Sequence, residues 1–113
     1  MFYNVIALFV GSGIGGVLRW LCSQWLNGNY PWGTLTVNVV GCFLIAFLAK
    51  HAPGDPHLRL LLTTGFCGGF TTFSTFINEN FLMLRGSQLL ISLVYMALSL
   101  LLGLLAAWIG YRI

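Results

Sequence analysis

Three short interruptions shape everything this sequence can become. Asn27 to Pro31, His51 to His57 and Arg85 to Gln88 are where turn formers or charges break an otherwise apolar chain of 113 residues. The runs between them lie near residues 3–26, 32–50, 58–84 and 88–111, and about 20 residues suffice for a helix to cross a bilayer core. Trp32 to Lys50 would measure about 27 Å as a helix, with an aromatic and a cation as interfacial anchors at its ends. Composition agrees with a membrane solvent: 58% of residues are hydrophobic and 6% charged, whereas a soluble chain carries about a quarter charged residues. Four spans use roughly 80 positions and leave no room for a soluble domain. The expectation is an all-α membrane protein, one transmembrane domain over residues 1–113.

The net charge of +3 is scattered over Arg19, Lys50, Arg59, Arg85 and Arg112 against Asp55 and Glu79. No basic stripe forms, which argues against nucleic acid as a partner. The first run lacks a basic leader region and is expected to stay as a span. Cys22, Cys42 and Cys67 fall in different runs, where cysteine acts as a small hydrophobe more often than as a disulfide partner. With short loops alternating sides, Lys50, Arg59 and Arg112 share one side and Arg85 takes the other. Three against one is a weak orientation bias, which leaves room for insertion both ways round.

The third run carries Phe-Cys-Gly-Gly-Phe-Thr-Thr-Phe-Ser-Thr-Phe from Phe66 to Phe76. Gly68 and Gly69 each lower helix propensity by about 1 kcal/mol, and the hydroxyls after them can satisfy backbone groups freed by a break. The pattern predicts a third helix broken near its middle. Non-helical backbone survives at membrane depth only inside protein or beside a water-filled cavity, and such breaks recur at ion sites. A kink that merely eases helix packing accounts for the glycines equally well.

Polar residues recur in every span. Arg19 lies deep enough in the first that it must snorkel, pair or face water; snorkelling is the simplest expectation and a cationic vestibule the functional one. Gly11 and Gly15 beside it form a pair suited to helix contact. Thr34 and Asn38 sit one turn apart in the second span, and a lone Asn there is often glue between helices. Ser92, Tyr95 and Ser99 make one stripe on the fourth, though a hydroxyl commonly bonds back to its own helix. The third adds Thr71, Thr72, Ser74 and Thr75, then Asn78, Glu79 and Asn80, with Phe70, Phe73 and Phe76 every third residue. Such aromatics are usually packing, yet the electropositive edge of a phenyl ring could hold an anion weakly enough to release it. Glu79 is a functional candidate as an intramembrane acid and also suits a plain interfacial position. Four helices are few to enclose an aqueous path, so an oligomer is expected, a symmetric homodimer being the usual form. Amides, hydroxyls, ring edges and Arg19 are donors, which favours a small anion.

Gly15 to Arg19 (GGVLR), Gly33 to Asn38 (GTLTVN) with Gly41, and Thr63 to Phe76 (TTGFCGGFTTFSTF) followed by Glu79 resemble the Fluc/CrcB family of fluoride channels over almost the whole chain. The resemblance implies an antiparallel, dual-topology homodimer in the bacterial cytoplasmic (inner) membrane, exporting fluoride passively through two pores at the subunit interface. It implies that Phe73 and Phe76 contact fluoride by their ring edges, that Asn38 supplies an amide donor, and that Ser74, Thr75, Tyr95 and Ser99 continue a polar track. Gly103 lacks the hydroxyl that would extend that track. Arg19 corresponds to a vestibule arginine, and main-chain carbonyls of Gly68 and Thr71 to the ligands of a structural sodium ion at the dimer centre. Small multidrug exporters, proton-coupled dimers of four short helices, are the alternative, but their pattern needs an acid in the first helix where this chain has Arg19. A soft-metal site lacks thiol spacing, an enzyme lacks a nucleophile and base pair, and a purely structural subunit leaves the hydroxyl stripe unexplained.

Overall fold

The computed structural model describes residues 1–113 and is all-helical. α1 (Phe2–Leu26) and α2 (Trp32–His51) are continuous. The third span, Pro56–Arg85, is composite. Its leading half comprises α3 (Pro56–Leu60), a π-helical stretch (Leu61–Cys67) and the single turn α4 (Gly68–Phe70); its trailing half is α5 (Phe73–Arg85). α6 (Leu89–Arg112) completes the set, and all four spans are long and apolar enough to cross a membrane.

Each helix starts or stops for a local reason. Pro31 cannot cap α2 with a side chain, so Asn27 Oδ1 does it from the loop, accepting from Gly33 N at 2.7 Å and Thr34 N at 3.3 Å. Asp55 caps α3, accepting from His57 N at 3.2 Å, with Pro56 pre-set in the first turn. Between α5 and α6, Ser87 takes the left-handed conformation at φ 61°, and Gln88 N donates back to Met83 O at 2.9 Å.

Two pairings organise the packing. α1 lies on the leading half of the third span so closely that backbone touches backbone. A Cβ on Gly15 would stand 2.8 Å from Phe70 N, and one on Gly69 would stand 2.8 Å from Ser12 Cα. Only hydrogen fits at either position, so these small residues act as the contact surface between helices. α2 lies along α6, and Thr34 and Val37 on the first and Ser92 on the second are fully buried. Just 17 of 113 residues are buried, so the remaining apolar surface must be covered by lipid or by another protein surface.

The break falls near the middle of the third span, as expected, two residues past the glycines. Gly68 is helical, at φ −64° and ψ −38°, and α4 carries on through Gly69 to Phe70. The chain leaves the helix at Thr71 (φ −95°, ψ 163°) and Thr72 (φ −153°, ψ 123°). Propensity locates a weak point, but the interruption falls where another helix supplies replacement hydrogen bonds. The glycines serve a different end: Gly69 admits α1, while a Cβ on Gly68 would meet nothing within 4 Å.

Candidate functional site

The two-residue gap between α4 and α5 exposes peptide groups that a continuous helix would pair internally. Asn38, on α2, replaces that pairing: its Oδ1 accepts from Thr72 N at 2.8 Å and its Nδ2 donates to Thr72 O at 3.1 Å. One amide side chain thus stands in for two helical hydrogen bonds. On the leading side, Thr71 N and Thr71 Oγ1 both donate to Cys67 O, at 3.1 and 2.8 Å. Arg19 Nε donates to Gly69 O at 3.0 Å. On the trailing side, Thr72 Oγ1 caps α5 by accepting from Thr75 N at 3.2 Å, and Ser74 Oγ lies 3.5 Å from the same hydroxyl. The hydroxyls after the glycines therefore satisfy the break, as their placement predicts. Arg19 pairs with a carbonyl instead of snorkelling, because that half-helix end lies within its reach.

An open cavity of about 450 Å³ adjoins the break, lined among others by Asn38, Gly68, Thr71, Thr72, Phe73 and Phe76. Phe73 projects from the chain with 75% of its surface exposed. Its ring centroid is 6.3 Å from that of Phe76, and Phe76 meets Tyr95 edge-on at 5.1 Å and 62°. The three aromatics form a short ladder from the open cavity to α6. Asn38 has two amide hydrogens and spends one on Thr72 O, leaving the other for a ligand.

Beyond the ladder, polar side chains from three helices converge. Glu79 on α5 accepts from Thr34 Oγ1 on α2 at 2.7 Å and from Tyr95 OH on α6 at 2.8 Å. One turn along, Ser92 Oγ donates to Asn80 Oδ1 at 2.8 Å, and Asn80 Nδ2 donates to Phe76 O at 2.9 Å. Ser92 and Tyr95 thus bond across helices. The Ser99 Oγ is buried without a hydrogen-bond partner.

The structure brings Asn38, Phe73, Phe76, Gly68 and Thr71 to one cavity and sets Ser74 and Thr75 at the α5 cap beside it. Tyr95 stands one aromatic contact away, and Ser99 lies a turn further along α6. Sequence reasoning named Thr34 and Thr72 as polar residues without their partners, and gave Asn27 only as the edge of an interruption. Thr72 is the residue Asn38 holds, Thr34 is a partner of Glu79, and Asn27 is the cap that starts α2. The signal for the first two was present: Thr34 and Asn38 share a stripe on α2, and Glu79 with Asn80 interrupts an apolar helix that could place them only against other polar groups.

Residues 6–111 match the family model described as CrcB-like protein, Camphor Resistance (CrcB). Among curated proteins, the chain is 40% identical to the fluoride-specific ion channel FluC of Flavobacterium psychrophilum, covering 95% of this chain and 93% of that one. It is 41% identical to the FluC of Bacteroides fragilis strain YCH46, covering 95% and 92%. Against fluoride-specific ion channel FluC 1 of Yersinia pestis the identity is 46%, over 79% of this chain and 76% of that one.

Proposed function

The chain belongs to the CrcB family, multi-pass bacterial membrane proteins whose curated relatives are named as channels and not as enzymes, and from that premise we propose that it conducts fluoride passively. The observation that carries this reading is the meeting of Phe73, Phe76 and the Asn38 amide on one cavity beside the broken helix. Ring edges and a single free N–H hold a small anion without the full charge that would trap it. Fluoride gains most from close donors because it is small, and a larger halide cannot approach several of them at once.

The path then continues along Ser74, Thr75, Tyr95 and Ser99. Tyr95 OH is already given to Glu79. A fluoride ion accepting from that hydroxyl must displace the Glu79 side-chain oxygen. Ser99 Oγ, buried and unpartnered, is a hydroxyl free to serve the same ion. Arg19 keeps guanidinium N–H groups beyond the one given to Gly69 O, and these would draw anions at a vestibule.

A single chain leaves the Phe73 ring and the cavity open on one side, which supports two copies arranged antiparallel in the cytoplasmic membrane, with two pores where they meet. The weak charge asymmetry of the loops suits dual insertion. We also propose a structural sodium ion at this subunit contact. Thr72 N, which would reach Gly68 O in a continuing helix, is turned to Asn38, and Gly68 and Thr71 line one cavity. Their main-chain carbonyls would hold it, as unwound backbone does elsewhere, and it would supply a fixed positive charge to the centre of the assembly. No step of conduction passes through it.

Purified protein in vesicles loaded with potassium fluoride should release fluoride to an electrode once valinomycin carries the countercharge, while chloride-loaded vesicles retain their anion. Equal release of both anions would remove fluoride selectivity from this reading.

A further inference from the structure

The leading half of the third span ends inside the membrane, and its last carbonyls carry the negative end of a helix dipole, about half an elementary charge. Solvent would normally answer that charge. Here the one cation of α1, Arg19, lies half-buried and donates through Nε to Gly69 O at 3.0 Å. The two acids of the chain are committed elsewhere: Glu79 accepts from Thr34 and Tyr95, and Asp55 caps α3. Gly69 is also the point where α1 touches this half-helix by its backbone, against Ser12. Arg19 therefore reaches the open end along the same face that holds the two elements together.

We propose that Arg19 is a positioning residue, the counter-charge to the mid-membrane end of the leading half-helix. By taking the Gly69 carbonyl and facing the dipole with a full positive charge, it also weakens the pull of the adjacent Gly68 and Thr71 carbonyls on a cation. This second consequence rests on the sodium reading given above; the first does not. The two effects of removing the charge have opposite signs. Without sodium the helix end becomes less stable, and sodium binds there more tightly, because a repelling neighbour has gone.

The test compares Arg19→Gln, which keeps a donor but loses the charge, with Arg19→Lys, which keeps the charge. Thermal unfolding of the purified full chain is followed in sodium-free buffer and across a sodium chloride titration at ionic strength held constant with an organic cation. In sodium-free buffer Arg19→Gln is expected to melt about 4 °C below the parent, and Arg19→Lys to recover most of that loss. The sodium concentration at half-maximal stabilisation is expected to fall roughly threefold to tenfold in Arg19→Gln and to stay within about twofold in Arg19→Lys. A purely architectural Arg19 would lower stability while raising the sodium midpoint or leaving it in place, and that result overturns the proposal. Equal melting of the two variants without sodium also overturns it. If the parent does not respond to sodium, the sodium reading fails by itself, and the sodium-free comparison of Gln with Lys still decides for or against the counter-charge.

Discussion

The two halves of the third span are held by different physics. The leading half, Pro56–Phe70, is placed by shape: Gly15 and Gly69 let it meet α1 backbone to backbone, and dispersion over a close contact does the rest. The trailing half, α5, is placed by polar side chains. Asn38 grips its threshold at Thr72, Thr34 and Tyr95 hold Glu79, and Ser92 holds Asn80. A shape contact tolerates no added atom, whereas a hydrogen-bonded contact tolerates none removed. The proposed site lies at the junction, where a rigidly seated helix end faces a helix whose position depends on side chains that an anion can also use.

The strongest way to break this contrast is Asn38→Ala. It strips both partners from the Thr72 backbone at once, and two part-buried groups left unpaired should cost about 2 kcal/mol. Fluoride efflux is expected to vanish, and urea unfolding in detergent should show the stability loss. Efflux at the parental rate would mean that the break needs no clamp and that the path lies elsewhere. Next comes a matched pair. Gly69→Ala drives a methyl group into the Ser12 backbone and should cost roughly 2 kcal/mol. Gly68→Ala meets nothing in its own chain and should leave the fold intact while weakening self-association, measured by single-molecule photobleaching in liposomes. An unaltered dimer fraction in Gly68→Ala would place the subunit contact away from this cavity.

Phe76→Ile separates chemistry from packing on the trailing side. Phe76 packs partly buried against the cluster of Leu35, Met83 and Tyr95, so a stability cost of about 1 kcal/mol is expected. Efflux should fall at least roughly tenfold, about 1.4 kcal/mol of barrier, because an aliphatic group offers no electropositive edge. A flux loss no greater than the unfolded fraction would reduce the ring to a packing element. The smallest effect belongs to the turn that ends the trailing half. Ser87→Gly relieves a left-handed non-glycine residue and should raise stability by about 0.5 kcal/mol, visible in unfolding and silent in efflux.

How much of this was written in the sequence depends on the reach of each interaction. The spans were legible because their ends are local: proline, glycine and charge punctuate them, and the helices end within two residues of the apolar runs. That the third helix is interrupted near its middle was legible too, but the two residues that form the gap were not. Gly68 and Gly69 advertise a weak point, while the partner that fixes the gap at Thr71 and Thr72 is an asparagine 34 positions away. The π-helical stretch Leu61–Cys67 has no composition that announces it. The polar stripes on α2 and α6 could be read, yet their meeting at Glu79 needed the crossing of three helices, which one sequence does not specify.

The Thr34, Glu79 and Tyr95 arrangement bears on how the protein is made. Tyr95 lies 16 residues after Glu79, so when the third span leaves the ribosome its phenol is still within the exit tunnel. The carboxylate must enter the translocon with only the earlier Thr34 hydroxyl to meet it. Membrane integration of the third segment should therefore depend on arrival of the fourth: a chain truncated before Tyr95 stays anchored by α1 and α2, but its third segment should be open to added protease where that of the full-length product resists.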